Sequence, residues 1–349
     1  MQSAEGFRKT VLFVSPSPGY AERRNGPSER GKAGCWLGGI SGLYHSLTDS
    51  TAAFVLVYDT IFLMRYRREL LSYVQEAVEL AMEIEELMAP SKLQEMEKDI
   101  LNTAHLLQFI FTAGAVHAFV TFFLFLVPTI VNGESPSPLI ERNILPPYAS
   151  TTLYFFQDLF VFIGDSCYVL VEYVHLGTTL AASLMFRMLA AKFNSESLSD
   201  QQLRHLVVLH QRLVDNNKAL QQRLSGVTLV LMSCVISGLV TSTMSLMAPD
   251  TVMYMYLIMP TLVFMIALKC SVADELLSWS AALADAVYAS PWLGSPQSFR
   301  LMILTVLTRA QRPQIVAVRF LGRLDRPIAS EIFKRWYTFV QVLSEYREK

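Results

Sequence analysis

The stretch that decides the fold is LSGVTLVLMSCVISGLVTSTMSLMAP, residues 224–249, which contains no Lys, Arg, Asp or Glu. A helix needs about 20 mostly apolar residues to cross a hydrocarbon core about 30 Å thick, because it rises about 1.5 Å per residue. This run exceeds that length, and so does the uncharged run 106–131. A third run, residues 251–268, nearly reaches it. The chain is therefore predicted to be an integral membrane protein built of helices.

The composition of the whole chain agrees with insertion into a lipid bilayer. Of its 349 residues, 52% are hydrophobic and 17% are charged, whereas soluble domains carry roughly 25% charged residues. The net charge of −1 excludes a nucleic-acid role driven by bulk charge. Four scattered cysteines show no metal-ligand spacing. No metal site and no cofactor is therefore predicted.

The apolar runs predict an all-α, polytopic helix bundle with six spans. These are residues 36–64, 106–131, 150–179, 224–247, 252–268 and an amphipathic last span within 328–346. Residues 1–34 are rich in Pro, Gly, Ser and Arg, a composition that predicts disorder. The chain then divides into a disordered or atypical N-terminus (1–34), a transmembrane bundle with cytoplasmic helix extensions (35–268), cytoplasmic helices (269–326) and a final helix (327–349).

The basic residues predict the orientation, because cytoplasmic loops carry an excess of Lys and Arg. The connections 69–105, 180–223 and 269–314 are accordingly placed inside, with Lys269 as one of the inner charges. The opposite loops hold only Arg142. A sixth span then places the C-terminus outside the cell. A G-protein-coupled receptor has its C-terminus inside, so this orientation argues against that class, and no G protein is required.

Acidic residues recur on one face of the third span. Asp158, Asp165 and Glu172 are spaced by seven residues, nearly two helical turns, so they share a face. Carboxylates that face lipid are costly, so this face is expected to turn toward the bundle interior or water. It is either a polar wall of a ligand vestibule or structural network, or a set of acids that are protonated or hydrogen-bonded to neighbouring helices.

Aromatic residues crowd the second, third and fifth spans. Small volatile ligands are mostly apolar, and an aromatic-lined cavity with few polar groups suits them. For any single aromatic residue, packing or lipid contact is the simpler explanation. The predicted pocket residues are His117, Phe122, Tyr154, Phe155, Asp158, Phe162, Tyr254 and Phe264.

The final helix is amphipathic. Phe333, Trp336, Phe339, Val340 and Leu343 recur at three- and four-residue spacing and form one apolar face. Such a helix spans the bilayer only if its other face meets water, which predicts a pore helix; the alternative is a helix lying in the membrane interface. The chain lacks phosphate-binding glycine loops and the common hydrolase and metalloprotease motifs. It is therefore not predicted to be an enzyme.

Four short elements near the C-terminus occur in a fixed order. They are ADAVY (284–288) followed by Trp292, RAQRP (309–313), an Ala-x-x-Phe turn (317–320), and ASEIF (329–333) at the start of the last helix. In this order and spacing, the region from about 268 to 349 resembles the insect odorant receptors. The remainder of the chain is similar to them in its pattern of spans.

The resemblance implies a bundle of seven helices with the N-terminus inside. Four subunits meet through cytoplasmic anchor helices, here residues 269–326, and the last helix, 327–349, lines a cation pore. The implied anchor residues are Tyr288, Trp292, Arg309, Gln311 and Pro313. The implied pore and gate residues are Trp336, Leu343 and Tyr346.

The resemblance also implies partners and a location. The protein would bind a volatile odorant in the outer half of its bundle and gate a non-selective cation channel as a heterotetramer with the olfactory co-receptor. It would lie in the plasma membrane of a sensory-neuron dendrite. Alternatives are a gustatory-type receptor channel, whose Thr-Tyr-x5-Gln-Phe ending is missing, and a truncated non-functional receptor, since six spans are visible against seven. A secondary transporter predicts inverted repeats, and the two halves show no self-similarity.

Overall fold

The computed structural model describes residues 29–132, 147–194, 198–246 and 254–348. The chain divides into two compact units, Met1–Gly42 and Leu43–Lys349. Residues 1–28 of the segment predicted to be disordered lie outside the described residues. A helix begins at Glu29, so it includes residues 29–34 of that segment.

Five long helices make up most of the chain, which confirms the predicted all-α class. They are α1 (Glu29–Leu87), α2 (Pro90–Asn132), α3 (Pro147–Phe193), α4 (Asp200–Leu246) and α5 (Tyr254–Ala289). Within the described residues, three helical segments are long and apolar enough to cross a membrane: 90–124, 152–193 and 200–246. The described residues of each of the first five predicted spans lie in one of the five long helices.

The long helices continue far beyond the predicted spans. The polar segment 200–223 and the apolar run that follows it form one uninterrupted helix, α4. Its start is a capping box, in which the Gln202 backbone N–H donates to Ser199 Oγ (3.2 Å) and the Ser199 N–H donates to Gln202 Oε1 (3.1 Å). The predicted cytoplasmic extension of this span is therefore a rigid continuation of the same helix.

The first helix differs from its predicted boundaries. The sequence predicts that the first span ends at residue 64 and that the acidic segment 69–100 belongs to the connection 69–105. Instead, α1 runs through to Leu87, and the acidic segment is divided between α1 and α2 at Met88–Ala89. Pro90 opens α2, a position where the missing proline N–H has no helical partner to lose.

The C-terminal part contains a hairpin that was not predicted. After α6 (Gln297–Ala310), strand β1 (Ala317–Val318) pairs antiparallel with β2 (Gly322–Arg323). The turn between them places two residues at positive φ, Phe320 at 71° and Gly322 at 83°. The chain ends with α7 (Arg326–Glu348). The hairpin thus occupies part of the region 269–326 that was predicted to be helical.

The best-packed core joins the ends of α1 and α3, the start of α4, the second half of α5, and α6. Its fully buried residues include Leu80, Ile84, Phe186, Phe193, Leu206, Leu209, Leu276, Leu283 and Ile303. We call this group the buried core. Arg187 of α3 connects α2 and α5 at the edge of the buried core. The Arg187 guanidinium lies 2.5 Å from Asp99 of α2 and 4.7 Å from the ring centre of Trp279 in α5.

Candidate functional site

A group of aromatic rings joins α2 to α3 within the apolar part of both helices. Phe162 lies 4.6 Å from Phe122 and 6.0 Å from Phe119 between ring centres, the second contact being edge-to-face. Close approach of the two helices depends on Gly114, where an added Cβ would lie 2.8 Å from a methyl carbon of Val169. The structure therefore brings two of the predicted pocket residues, Phe122 and Phe162, into contact.

Three predicted pocket residues follow one another along a single face of α3. Tyr154, Asp158 and Phe162 are spaced by four residues, about one helical turn each. Tyr154 and Asp158 are almost fully buried, and Phe162 is half-buried. His117 of α2 is also half-buried. We call Phe122, Tyr154, Asp158 and Phe162 the aromatic–acid group.

The remaining predicted pocket residues lie elsewhere. Phe155 is 40% exposed and packs its ring on Phe156, and Phe264 of α5 is 45% exposed. Both are therefore more exposed than the residues of the aromatic–acid group, and their role in a pocket stays a prediction. Tyr254 opens α5, but its side chain lies outside the described residues. Periodicity did not separate inward from outward rings because both faces of these helices are apolar.

The acidic face of α3 carries a buried ion pair that sequence analysis missed. Glu172 Oε1 lies 2.6 Å from Lys269 Nζ of α5, and both side chains are almost fully buried. Asp158 is buried as predicted, while the side chain of Asp165 lies outside the described residues. Lys269 is counted among the inner charges of the connection 269–314, but its side chain is buried within the bundle. The available signal was an acid inside an apolar helix and a lysine directly after another apolar run.

A second set of polar contacts lies one to two turns further along α3. Thr179 Oγ1 donates to the His175 carbonyl oxygen at 2.7 Å. Gln221 Nε2 of α4 donates to Thr179 Oγ1 at 3.4 Å. Together with the ion pair, these contacts connect α3 to both α4 and α5 by polar groups.

The final helix turns its apolar face toward the bundle. Trp336 donates its indole N–H to Thr243 Oγ1 of α4 at 2.8 Å, and Ile328 and Ile332 pack against the buried core on the same side. Leu343 lies two turns beyond Trp336 and is half-buried. These contacts place the Trp336 side chain against α4 of the same chain, and the pore role of Trp336 and Leu343 stays a prediction. The side chain of Tyr346 lies outside the described residues.

The opposite face of α7 is exposed and polar. Lys334, Thr338, Gln341 and Glu345 are spaced by four, three and four residues, which places them in one stripe. All four are exposed. We call them the polar stripe. The amphipathic pattern predicted that the face opposite the apolar one meets water, whereas the resemblance implied Trp336, Leu343 and Tyr346 as pore and gate residues.

The hairpin fixes the start of α7. Asp325 is buried and acts as its N-cap, because Oδ1 accepts the backbone N–H of Ile328 at 3.0 Å. Its other oxygen accepts the Arg323 Nε–H at 2.6 Å. Arg326, the first residue of α7, lies 3.4 Å from Asp274 of α5. The start of α7 is therefore held by α5 and by the hairpin.

The predicted anchor residues lie at the ends of α5 and α6. Tyr288 is 69% exposed, and the Trp292 indole N–H donates to its carbonyl oxygen at 3.1 Å. Gln311 is exposed, whereas Arg309 and Pro313 are half-buried. The ring of Tyr288 is therefore accessible on the surface of this chain.

Two hydrogen bonds of Gln314, beside these residues, were not predicted. The Gln314 backbone N–H donates to Ser280 Oγ of α5 at 2.9 Å. The Gln314 side chain accepts a hydrogen bond from Asn217 Nδ2 of α4 at 3.3 Å. The loop after RAQRP is therefore bonded to α4 and α5.

A charge cluster joins α1 to α4 beside the buried core. Arg212 lies 2.8 Å from Glu76 and 2.7 Å from Glu83. The hydrogen bond from Arg212 lowers the pKa of Glu83 below its ordinary value of 4.5, with a further lowering from His205. In the part of the chain that the structure describes, no three His, Cys, Asp or Glu side chains meet to hold a metal ion.

Comparison with known proteins identifies the family. A model of the 7tm Odorant receptor family matches residues 41–337. The fold is similar to that of the insect olfactory receptor OR5 from Machilis hrabei, with 13% identity, a TM-score of 0.63 and coverage of 93% of this chain and 92% of that one. A second structure of that receptor, in complex with eugenol, gives 14% identity, a TM-score of 0.66 and coverage of 94% and 92%. No curated protein matches significantly. The chain belongs to the 7tm odorant receptor family.

Proposed function

We propose that this odorant receptor is the odour-tuned subunit of a non-selective cation channel. It assembles with the olfactory co-receptor as a heterotetramer in the plasma membrane of a sensory-neuron dendrite, with its C-terminus outside. The observation that carries the channel proposal is the polar stripe of α7. A helix with Lys334, Thr338, Gln341 and Glu345 on one exposed face is costly against lipid, so that face needs water or protein.

The aromatic–acid group is the proposed ligand site. Phe122 and Phe162 offer ring faces and edges across the α2–α3 contact, and Asp158 and Tyr154 add polar atoms on the same face of α3. Apolar walls with a few polar groups are the usual make-up of small-molecule sites. The related receptor from Machilis hrabei was solved with eugenol, so eugenol is a reasonable first ligand to test.

Gating follows from the contacts of α7. The Trp336–Thr243 hydrogen bond and the packing of Ile328 and Ile332 hold this helix on the bundle. A ligand that binds more tightly to a bundle state with a displaced α7 shifts the population toward that state. Movement of α7 would then widen a pore lined by the polar stripe.

The first test is odorant-evoked current. Cells that express this chain with the olfactory co-receptor are compared with cells that express the co-receptor alone, over a volatile panel that begins with eugenol. We expect responses that the co-receptor alone does not give. A chain that reaches the cell surface and adds no response to any volatile would contradict the proposal.

The second test concerns the lining of the pore. Thr338→Cys and Gln341→Cys lie in the polar stripe, and Leu343→Cys on the half-buried face is the matched control. A charged, membrane-impermeant thiol reagent is expected to block most of the evoked current through the two stripe variants and little of it through the control. If the reagent instead blocks the current through Leu343→Cys and spares the two stripe variants, Leu343 lines the pore and the assignment of the polar stripe is wrong.

A further inference from the structure

Burying the charges of Glu172 and Lys269 costs free energy of desolvation. A gain in stability does not explain why such a pair is kept. Their side chains are 4% and 2% exposed and their charged atoms lie 2.6 Å apart. Among the described residues, no other group forms a hydrogen bond with the carboxylate or the ammonium. Replacing such a pair by apolar residues is often neutral or stabilising. An ionisable residue within a membrane helix points to function by default.

The same stretch of α5 contacts the start of α7. Asp274 follows Lys269 by five residues in the continuous helix α5, and its carboxylate lies 3.4 Å from Arg326. Arg326 is the first residue of α7, directly after the buried cap Asp325. Two opposite-charge contacts therefore join α3 to α5 and α5 to α7. We call Glu172, Lys269, Asp274 and Arg326 the charge strut.

Helix α3 connects the charge strut to the aromatic–acid group. Asp158 and Glu172 are fourteen residues apart and both are buried, so both lie on the inward face of this one helix. The attraction between two charges in a low-dielectric interior falls steeply as they separate. A shift of α3 along α5 is thus opposed more strongly here than at apolar contacts, which slide with little loss.

We propose that the charge strut transmits movement of α3 to the start of α7, with Glu172 and Lys269 as positioning residues for gating. The inference rests on the proposed function, because it assumes that a ligand moves α3 and that α7 lines the pore. The strut itself is a physical link that exists without ligand, so it is testable without current.

The experiment measures amide hydrogen exchange of the full chain, purified in lipid nanodiscs without ligand. The variants are Glu172→Gln, Asp274→Asn and the reversed pair Glu172→Lys with Lys269→Glu. Glu69→Gln is the matched control, since it removes the half-exposed Glu69–Arg223 pair, which does not involve α7. Asp274 is partly exposed, so Asp274→Asn tests the strut even if Glu172→Gln fails to fold.

We expect amides in the first two turns of α7 to exchange at least about fivefold faster in both single variants, the lower end of usual coupling between sites. The reversed pair should restore slow exchange, and the control should leave it unchanged. Unchanged exchange of α7 in Asp274→Asn would overturn the proposal. So would a change in Glu172→Gln that is confined to α3 and α5.

Odorant-evoked current, measured with the co-receptor, then tests the coupling between ligand binding and gating separately from the proposed function. In Glu172→Gln, the agonist concentration for half-maximal current should rise by about 5- to 150-fold, while agonist binding to the purified chain stays the same. A parallel loss of binding would indicate a merely structural role and overturn the inference. If the wild-type chain gives no odour response, the proposed function fails, and the exchange measurement still decides whether the strut exists.

Discussion

The buried core and the contact between α2 and α3 are both apolar, but they are stabilised differently. In the buried core, Phe186 and Leu209 are almost completely enclosed by other side chains. Along α2, Phe109 and Phe119 are more than half exposed although they belong to an apolar helix. In a membrane protein such rings meet lipid tails, which are as apolar as the protein interior. Hydropathy therefore identifies both regions as apolar, but it does not distinguish packing against protein from contact with lipid.

The largest expected effect is the difference between two phenylalanine substitutions, one in the buried core and one on the exposed side of α2. Phe186→Ala removes a ring that is 1% exposed, whereas Phe109→Ala removes one that is 61% exposed. Large-to-small changes in a core cost about 3–5 kcal/mol for phenylalanine, so Phe186→Ala should strongly lower the unfolding temperature in nanodiscs. Phe109→Ala should change the stability by less than about 0.5 kcal/mol. Equal losses would mean that α2 packs against protein along its whole length.

The second prediction concerns the hairpin that joins the buried core to α7. Asp325→Ala removes the N-cap and leaves Arg323 without its partner, so it should lower the stability by about 1–2 kcal/mol. Asp325→Asn is the control, because asparagine caps about as well as aspartate while the charge is lost. Thermal unfolding of the purified variants checks both values. If Asp325→Asn lowers the stability as much as Asp325→Ala does, the effect is due to the lost ion pair with Arg323.

Sequence reasoning predicted most of the fold because the relevant signals are local. Long uncharged runs predicted the helices, and the seven-residue spacing predicted that Asp158 and Glu172 turn inward. The helix boundaries were predicted less well. The basic cluster after Met64 does not end α1, because charged residues are compatible with a helix that leaves the membrane.

The site was predicted only in part because contact between helices depends on their rotation about their axes. Lys269 satisfies the rule for inner positive charges, yet it pairs with Glu172, and no pattern within α5 reveals that. Trp336 marks an apolar face, but the contacts that turn this face toward the bundle, such as its bond to Thr243, join residues far apart in the sequence. Phe320 adopts a backbone conformation that favours glycine, and nothing in its own type predicts it.

The third prediction tests the link between α7 and the bundle. Trp336→Phe keeps a large ring but removes the hydrogen bond to the buried Thr243 hydroxyl, which should cost about 1 kcal/mol. Since that bond holds α7 on α4, we expect a larger ligand-independent current through the complex with the co-receptor. Tyr337→Phe, on the exposed side of the same helix, serves as the control. A lower basal current in Trp336→Phe would mean that Trp336 supports the open state instead.

The smallest expected effect lies at the rim of the buried core, where Arg212 holds Glu83. The pKa of Glu83 is lower in the folded chain than its ordinary 4.5, so the pair stabilises the fold fully above about that pH. The contribution is lost as the pH falls through the lower, folded-state pKa. Since both side chains are about one-third exposed, solvent limits it to about 0.2–1 kcal/mol.

Glu83→Gln should therefore lower the unfolding temperature slightly at pH 7 and by less at pH 4, because pH 4 lies below the ordinary pKa of 4.5, where the stabilising contribution has begun to fall. The exposed Glu85→Gln, in the same helix, is the control and should show little change at either pH. A difference between wild type and Glu83→Gln that stays constant from pH 7 to well below pH 4 would show that Glu83 acts through packing. The charge cluster would then be a consequence of the α1–α4 contact and would not stabilise it.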